Sequence, residues 1–289
     1  MNTHRLKTIG ALSAAAMTVA VSITACGGPT SASNASCTPK HSGIQTVTPG
    51  KLTVGVIDIP PYSSYNSGNP TGVDISIVSK IAKDECLAVS FEQASYADAI
   101  QSIGGNSIDL AVGSIAVTAT REKVVDFSAS IYVESMGVTT RIGATTVAEV
   151  EKAGGKVGTV EGYNEIADLK KIFGDRLITY PSSVELKADF DNGRLVASFD
   201  AYGVSATEYK GVDGVTVALG TAKPDPRISA LTRPPEDGFP LTKDNTSLKQ
   251  ALDDGITSQH QDGTIGKLLT GAGLTDALGN VSKTQYVSP

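Results

Sequence analysis

The chain has 289 residues, with 24 Lys+Arg against 30 Asp+Glu and a formal charge of −6 at pH 7. That acidic balance argues against nucleic acid as a partner, because phosphate binding needs a basic face. Three histidines (His4, His41, His260) lie far apart and no Cys/His cluster has metal-ligand spacing, so neither a metal nor a cofactor is expected.

Residues 1–25 open with Arg5 and Lys7 and continue into an apolar run over 9–21, with no Asp or Glu before Cys26. This is the three-part pattern of a secretory signal, and the run falls short of the ~20 residues that span a bilayer. Residues 23–26 read Ile-Thr-Ala-Cys and resemble the lipobox of bacterial lipoproteins. The resemblance implies that Cys26 is acylated and tethers the protein to the outside of the cell membrane. Removing residues 1–25 takes away two basic and no acidic side chains, leaving 264 residues with a net charge of −8. A polybasic membrane patch is therefore not expected, and the acyl chains must do the anchoring. Cys37 and Cys86 are then the two remaining thiols, and in an oxidising exterior they favour a disulfide. Residues 26–49 are rich in Gly, Pro, Ser, Thr and Asn, which predicts a flexible tether.

The globular pattern starts at residue 50. Residues 51–57 alternate like a strand, and Pro60-Pro61-Tyr62 breaks it. Apolar residues at 75, 77, 78, 81 and 82 form a helical stripe over 74–85. A strand at 89–91, a helix over 96–103 ended by Gly104-Gly105, and a strand at 108–112 follow. The second half repeats this grammar: strands at 156–160, 177–180 and 195–199, helices over 162–173 and 183–192. A final helix covers 247–260, with a last helical piece through 269. Alternating strands and helices predict an α/β fold with mostly parallel sheets. A chain of this length is expected to form two such lobes, with a cleft between them as the place for a ligand.

Lys51-Leu-Thr-Val-Gly55, Pro60-Pro61-Tyr62, Gly72-Val73-Asp74, Ser107-Ile-Asp109-Leu, Gly193-Arg194 and Asp262-Gly263-Thr264-Ile265 resemble motifs of family 3 extracellular solute-binding proteins, as does the run Val117-Thr118-Ala-Thr-Arg121-Glu-Lys-Val-Val-Asp126-Phe-Ser128. These are the amino-acid receptors of bacterial ABC importers. The resemblance implies a two-lobed periplasmic-binding-protein-like fold, with lobe 1 at 50–138 and 238–280 and lobe 2 at 139–237. Two hinge strands would lie near 136–141 and 238–243. It also implies a polar amino acid or related small zwitterion as ligand, a permease and an ATPase as partners, and a monomer.

An amino acid brings a carboxylate and an ammonium, and the planar fork of Arg suits the first. By resemblance Arg121 clamps the carboxylate with help from Thr118. Asn164, in Gly162-Tyr163-Asn164, offers a donor at a helix start and is expected to cap that helix. Asp200 takes the ammonium, although the spacing before it is one residue short of the family's. Ser114 adds a carbonyl or hydroxyl, and Ala116 only its backbone. Tyr62 and Tyr96 would sandwich the ligand side chain, or else lie at the edge of the core. Asp58 stands where receptors for basic amino acids often place a carboxylate.

Two other readings share this fold. A receptor that presents its closed form to a membrane signalling protein would have the same sequence features. A dehydratase-type enzyme would need an acid or base in the cleft. Glu161 is the only nominee, so catalysis is not expected.

Overall fold

The computed structural model describes residues 37–282 together with 285 and 287. The signal segment, Cys26 and the start of the expected tether lie outside the described residues. Cys37 and Cys86, the pair expected to bridge, are both disulfide-bonded. The rest of the expected tether is docked rather than loose. His41 places Nδ1 2.9 Å from Glu85 and Nε2 3.0 Å from Asp254, Ile44 packs on the core, and the Val47 N–H donates to Asp109 over 2.6 Å. Polar composition suggested a free segment, but these charged and backbone anchors hold it.

In the first lobe, β1 (Lys51–Ile57) leads through a short hairpin of β2 (Ser64–Asn66) and β3 (Asn69–Thr71) into α1 (Val73–Asp84). Then come β4 (Ala88–Ala94), α2 (Tyr96–Gly104), β5 (Leu110–Val112) and β6 (Asp126–Phe127). The chain crosses at β7 (Tyr132–Val133) into the second lobe. That lobe runs β8 (Met136–Thr140), α3 (Val147–Ala153), β9 (Val157–Val160), α4 (Ile166–Phe173), β10 (Leu177–Tyr180), α5 (Ser183–Asp191), β11 (Ala197–Ala201), α6 (Tyr202–Glu208), β12 (Thr216–Leu219) and α7 (Ser229–Thr232). The return crossing is β13 (Glu236–Asp237), followed by β14 (Pro240–Leu241), α8 (Thr246–Gln261) and α9 (Thr264–Gly271).

The first sheet has the order β4-β1-β5-β14-β6 and the second β10-β9-β11-β8-β12. In both, the strands joined by helices run parallel, while β14 and β8 pair antiparallel with their neighbours because they arrive from the other lobe. All of β1 after Lys51 is buried, as a central strand covered on both faces should be. Against it pack Ile77, Val78 and Ile81 of α1, the stripe read from the sequence, with Leu252 and Ile256 of α8. Ser95 starts α2 by accepting the Asp98 N–H over 3.2 Å, a side-chain cap. The second lobe has its own core, including Val138, Val157, Leu169, Phe173 and Phe199.

Two expectations about boundaries need correction. The supposed hinges lie inside the sheets: Met136–Thr140 is fully buried within the second, and Pro240–Leu241 within the first. The crossings pair with each other instead, β7 with β13, in a two-stranded ribbon. The helix expected from residue 162 starts at Ile166, with Glu165 rather than Asn164 at its N-cap position and no side-chain cap bond. Among the described residues no helix is long and apolar enough to cross a membrane.

Candidate ligand-binding site

The first-lobe wall of the cleft is built around Asp74. Its carboxylate, 1% exposed, accepts the Gly113 N–H at 2.9 Å, the Ser114 N–H at 3.1 Å and the Tyr132 hydroxyl at 2.7 Å. These bonds hold the turn after β5, where Ser114 adopts a positive φ of 51°. Gly72 supports the same wall at close quarters, since a Cβ there would fall 2.3 Å from the Tyr62 carbonyl oxygen. Burial pushes Asp74 up to about 6, against the opposing effect of its three donors. The Gly72-Val73-Asp74 motif therefore acts through the turn it fastens.

From that turn the Ser114 hydroxyl donates to Asp237 over 2.7 Å, and the Tyr96 hydroxyl donates to the Gly113 carbonyl over 2.7 Å. Arg121 lies just beyond. One guanidinium N–H donates to the Ala116 carbonyl at 2.6 Å, and another crosses the cleft to the Gly162 carbonyl at 2.7 Å. Thr118, buried, accepts the Arg121 backbone N–H at 3.2 Å, so it positions the arginine. Burial draws the Arg121 pKa down, opposed by Tyr96, Asp237 and Glu165 nearby.

The second lobe contributes the loop between β9 and α4. Gly162 has a positive φ of 84° and lies so close to the first lobe that a Cβ would sit 2.8 Å from the Tyr96 Cβ. Tyr163 packs edge-on against Tyr96, with ring centroids 5.3 Å apart, and its hydroxyl donates to Asp200 over 2.7 Å. Asp200, on β11, also accepts the Ser183 hydroxyl at 3.0 Å and the Ala201 N–H at 2.7 Å. It is 4% exposed, and burial raises its pKa. Protein groups thus bond to both expected charge partners, and residues of the two lobes touch across the cleft.

Two cavities share Tyr96 in their walls. The inner one lies near the β7–β13 crossing, and it contains four of the expected residues: Tyr96, Ser114, Ala116 and Asn164. The outer one contains Asp58 together with Asp98 and Glu185. The buried Oδ1 of Asp58 has no hydrogen-bond partner. Arg121, Thr118 and Asp200 stand beside these spaces without lining them. Tyr62 departs from expectation: at 0% exposure it lines neither cavity, stacks on Tyr132 at 4.9 Å and donates its hydroxyl to Glu134. The turn at Pro60-Pro61 aims it inward, so it belongs to the core. Glu161 is exposed, 3.4 Å from the Thr179 hydroxyl.

Sequence reading missed three acids on the inner cavity. Glu134, Glu165 and Asp237 are 7%, 5% and 2% exposed. Burial pushes Glu134 up to about 8, and Glu165 and Asp237 to about 7 each. Asp237 is buried by the pairing of β13 with β7, a long-range contact that leaves no local signal in the sequence.

This architecture agrees with known proteins. Among curated relatives, the histidine-binding periplasmic protein of Escherichia coli K12 is 24% identical over 221 residues, covering 72% of this chain and 81% of its own. The L-cystine-binding protein TcyJ of the same organism is 24% identical, covering 75% and 80%. The solved structure of an ancestral arginine-binding protein bound to glutamine superposes with a TM-score of 0.65 at 22% identity, over 76% of this chain and 96% of that one. Residues 52–271 match the model of the bacterial extracellular solute-binding proteins, family 3, and the chain belongs to that family.

Proposed function

We propose that this protein is the extracytoplasmic receptor of an ABC importer, holding a polar amino acid or related small zwitterion between its lobes. The observation that carries the reading is the pairing of Arg121 with Asp200. One desolvated cation comes from the first lobe and one desolvated carboxylate from the second, and both border one cleft. In this reading the ligand carboxylate takes over the Arg121 donors now spent on carbonyls, and the ammonium displaces the Tyr163 hydroxyl from Asp200. Ser114 and Asn164 add polar contacts.

A ligand shifts a conformational equilibrium only through unequal affinity for the two states. Here only the shut cleft offers both charge partners, so binding favours closure about the β7–β13 crossing. The shut form presents a permease and its ATPase with one surface drawn from both lobes. Export with Cys26 acylated would place the receptor on the outer face of the membrane, as a monomer. A sensing role would use the same geometry with a different membrane partner. Catalysis is disfavoured, because the curated relatives are named as binding proteins.

A thermal-shift screen against the twenty amino acids tests the reading, since a ligand that binds only the native state raises its melting temperature. At least one amino acid should do so. A flat response to all twenty would reject it. For the anchor, Cys26→Ala should move the protein from membrane to medium with ligand binding intact, and equal membrane retention would reject acylation at Cys26.

A further inference from the structure

The inner cavity has an unbalanced charge inventory. Glu134, Glu165 and Asp237 line it, and among the described residues no Lys, Arg or His does. Arg121 stands nearby with two guanidinium N–H groups spent on the Ala116 and Gly162 carbonyls. The three acids differ in how far the protein satisfies them. Glu134 accepts the Ser135 and Gly203 N–H groups and the Tyr62 hydroxyl, which accounts for both its oxygens. Asp237 accepts one side-chain bond, from Ser114. Glu165, though 95% buried, accepts no hydrogen bond from another residue among those described. The Ser135 hydroxyl on the same cavity is likewise buried without a partner.

A buried carboxylate with only its own backbone N–H as donor is costly and a buried hydroxyl without a partner less so, yet here both border a cavity. Such groups are satisfied when something in that space donates to them. Among the described residues no cluster of three or more His, Cys, Asp or Glu could hold a metal ion, which points to an organic cation. An ammonium offers three donors and a full charge, enough for Glu165, Asp237 and one hydroxyl or amide oxygen.

We propose that Glu165 and Asp237, with the Ser135 hydroxyl, form a cation subsite at the floor of the cleft that binds an amine on the ligand's side chain. This rests on the amino-acid-binding reading and narrows it to amino acids that carry a second ammonium. The subsite is separate from Asp58, which lines the outer cavity, a space whose lining shares only Tyr96 with the inner one. Burial pushes Glu165 and Asp237 up to about 7 each, and a bound ammonium would hold them ionised.

The test compares L-lysine with L-norleucine, which has the same carbon chain and no side-chain amine, by isothermal titration at pH 7.5. The wild-type protein should bind lysine at least a hundredfold more tightly. Glu165→Gln combined with Asp237→Asn keeps the shapes and removes both charges, and should bring that ratio below tenfold with norleucine binding retained. The single Glu165→Gln variant, which keeps the side-chain shape and the Asp237 carboxylate, should lower the ratio at least fivefold and covers the case in which the double variant does not fold. Equal affinity for lysine and norleucine in the wild type would overturn the subsite while leaving the amino-acid reading intact, as would an unchanged ratio in the variants. Failure of every α-amino acid to bind would overturn both.

Discussion

The turn at Gly113–Ser114 and the loop at Gly162–Glu165 both border the cleft, and they are held in different ways. The first hangs on one buried carboxylate: Asp74 receives two of its N–H groups, and Tyr132 completes the set. The second is held by contacts that cross the cleft, the Arg121 bond to the Gly162 carbonyl and the Tyr96–Tyr163 packing, and by the Tyr163 bond to Asp200. The first lobe is therefore organised from within, whereas the second-lobe loop is organised by what faces it. A ligand can replace contacts of the second kind without breaking the core.

The comparison breaks most visibly at Asp74. Asp74→Ala strands two backbone N–H groups and a tyrosine hydroxyl in a dry site, which should cost about 3–5 kcal/mol of stability. Urea unfolding measures this, and a loss below about 1 kcal/mol would mean the turn is held by something else. Asp200→Ala tests the opposite side. It should weaken amino-acid binding by about 2–5 kcal/mol, the range for losing one partner of a desolvated charge pair.

Tyr163→Phe sharpens the contrast. Removing the hydroxyl frees Asp200 from an internal competitor at the cost of one hydrogen bond to a charged group. Ligand affinity should rise by up to about tenfold in titration calorimetry, while Tyr163→Phe leaves the Tyr96 ring contact in place. A loss of affinity would show that the hydroxyl serves the ligand directly.

The smallest effect is that of pH on the ligand-free protein. Glu134 near 8, and Glu165 and Asp237 near 7, are all raised above ordinary carboxyl values by burial. The folded state therefore holds more protons than the unfolded one, and this stability is lost as pH rises through 7 and 8. His41, raised by Glu85 and Asp254, works in the same direction. The carboxyls lowered by partners, such as Asp225 beside Arg227, act only below about pH 4. The melting temperature should fall by a few degrees from pH 5 to pH 8. A rise over that interval would contradict the raised values.

The first lobe was largely legible in the sequence. The stripe of α1, the alternation of β1 and the Val117–Ser128 run led to elements and to an arginine at the cleft. Local period and motif spacing suffice there, because each element buries a face that its own residues define. The crossing ribbon was not legible. Two-residue strands leave no periodicity, and only their pairing shows that Asp237 is buried. Tyr62 shows the same limit, since a tyrosine after two prolines can face core or cleft, and its burial depends on Tyr132 and Glu134, which lie some 70 positions later in the chain. Asn164 failed as a cap because the helix begins two residues beyond it.

Arg121 bonds to a carbonyl in each lobe and holds the ligand carboxylate in this account, so the most direct measurement is isothermal titration of Arg121→Ala beside the wild type. The titrant is whichever amino acid gives the largest thermal shift. Losing the bidentate partner of the ligand carboxylate should weaken binding by about 2–5 kcal/mol, thirtyfold or more, and Arg121→Lys should restore little because an ammonium lacks the planar fork. Wild-type affinity in Arg121→Ala would mean that the amino acid is held elsewhere and would contradict the account.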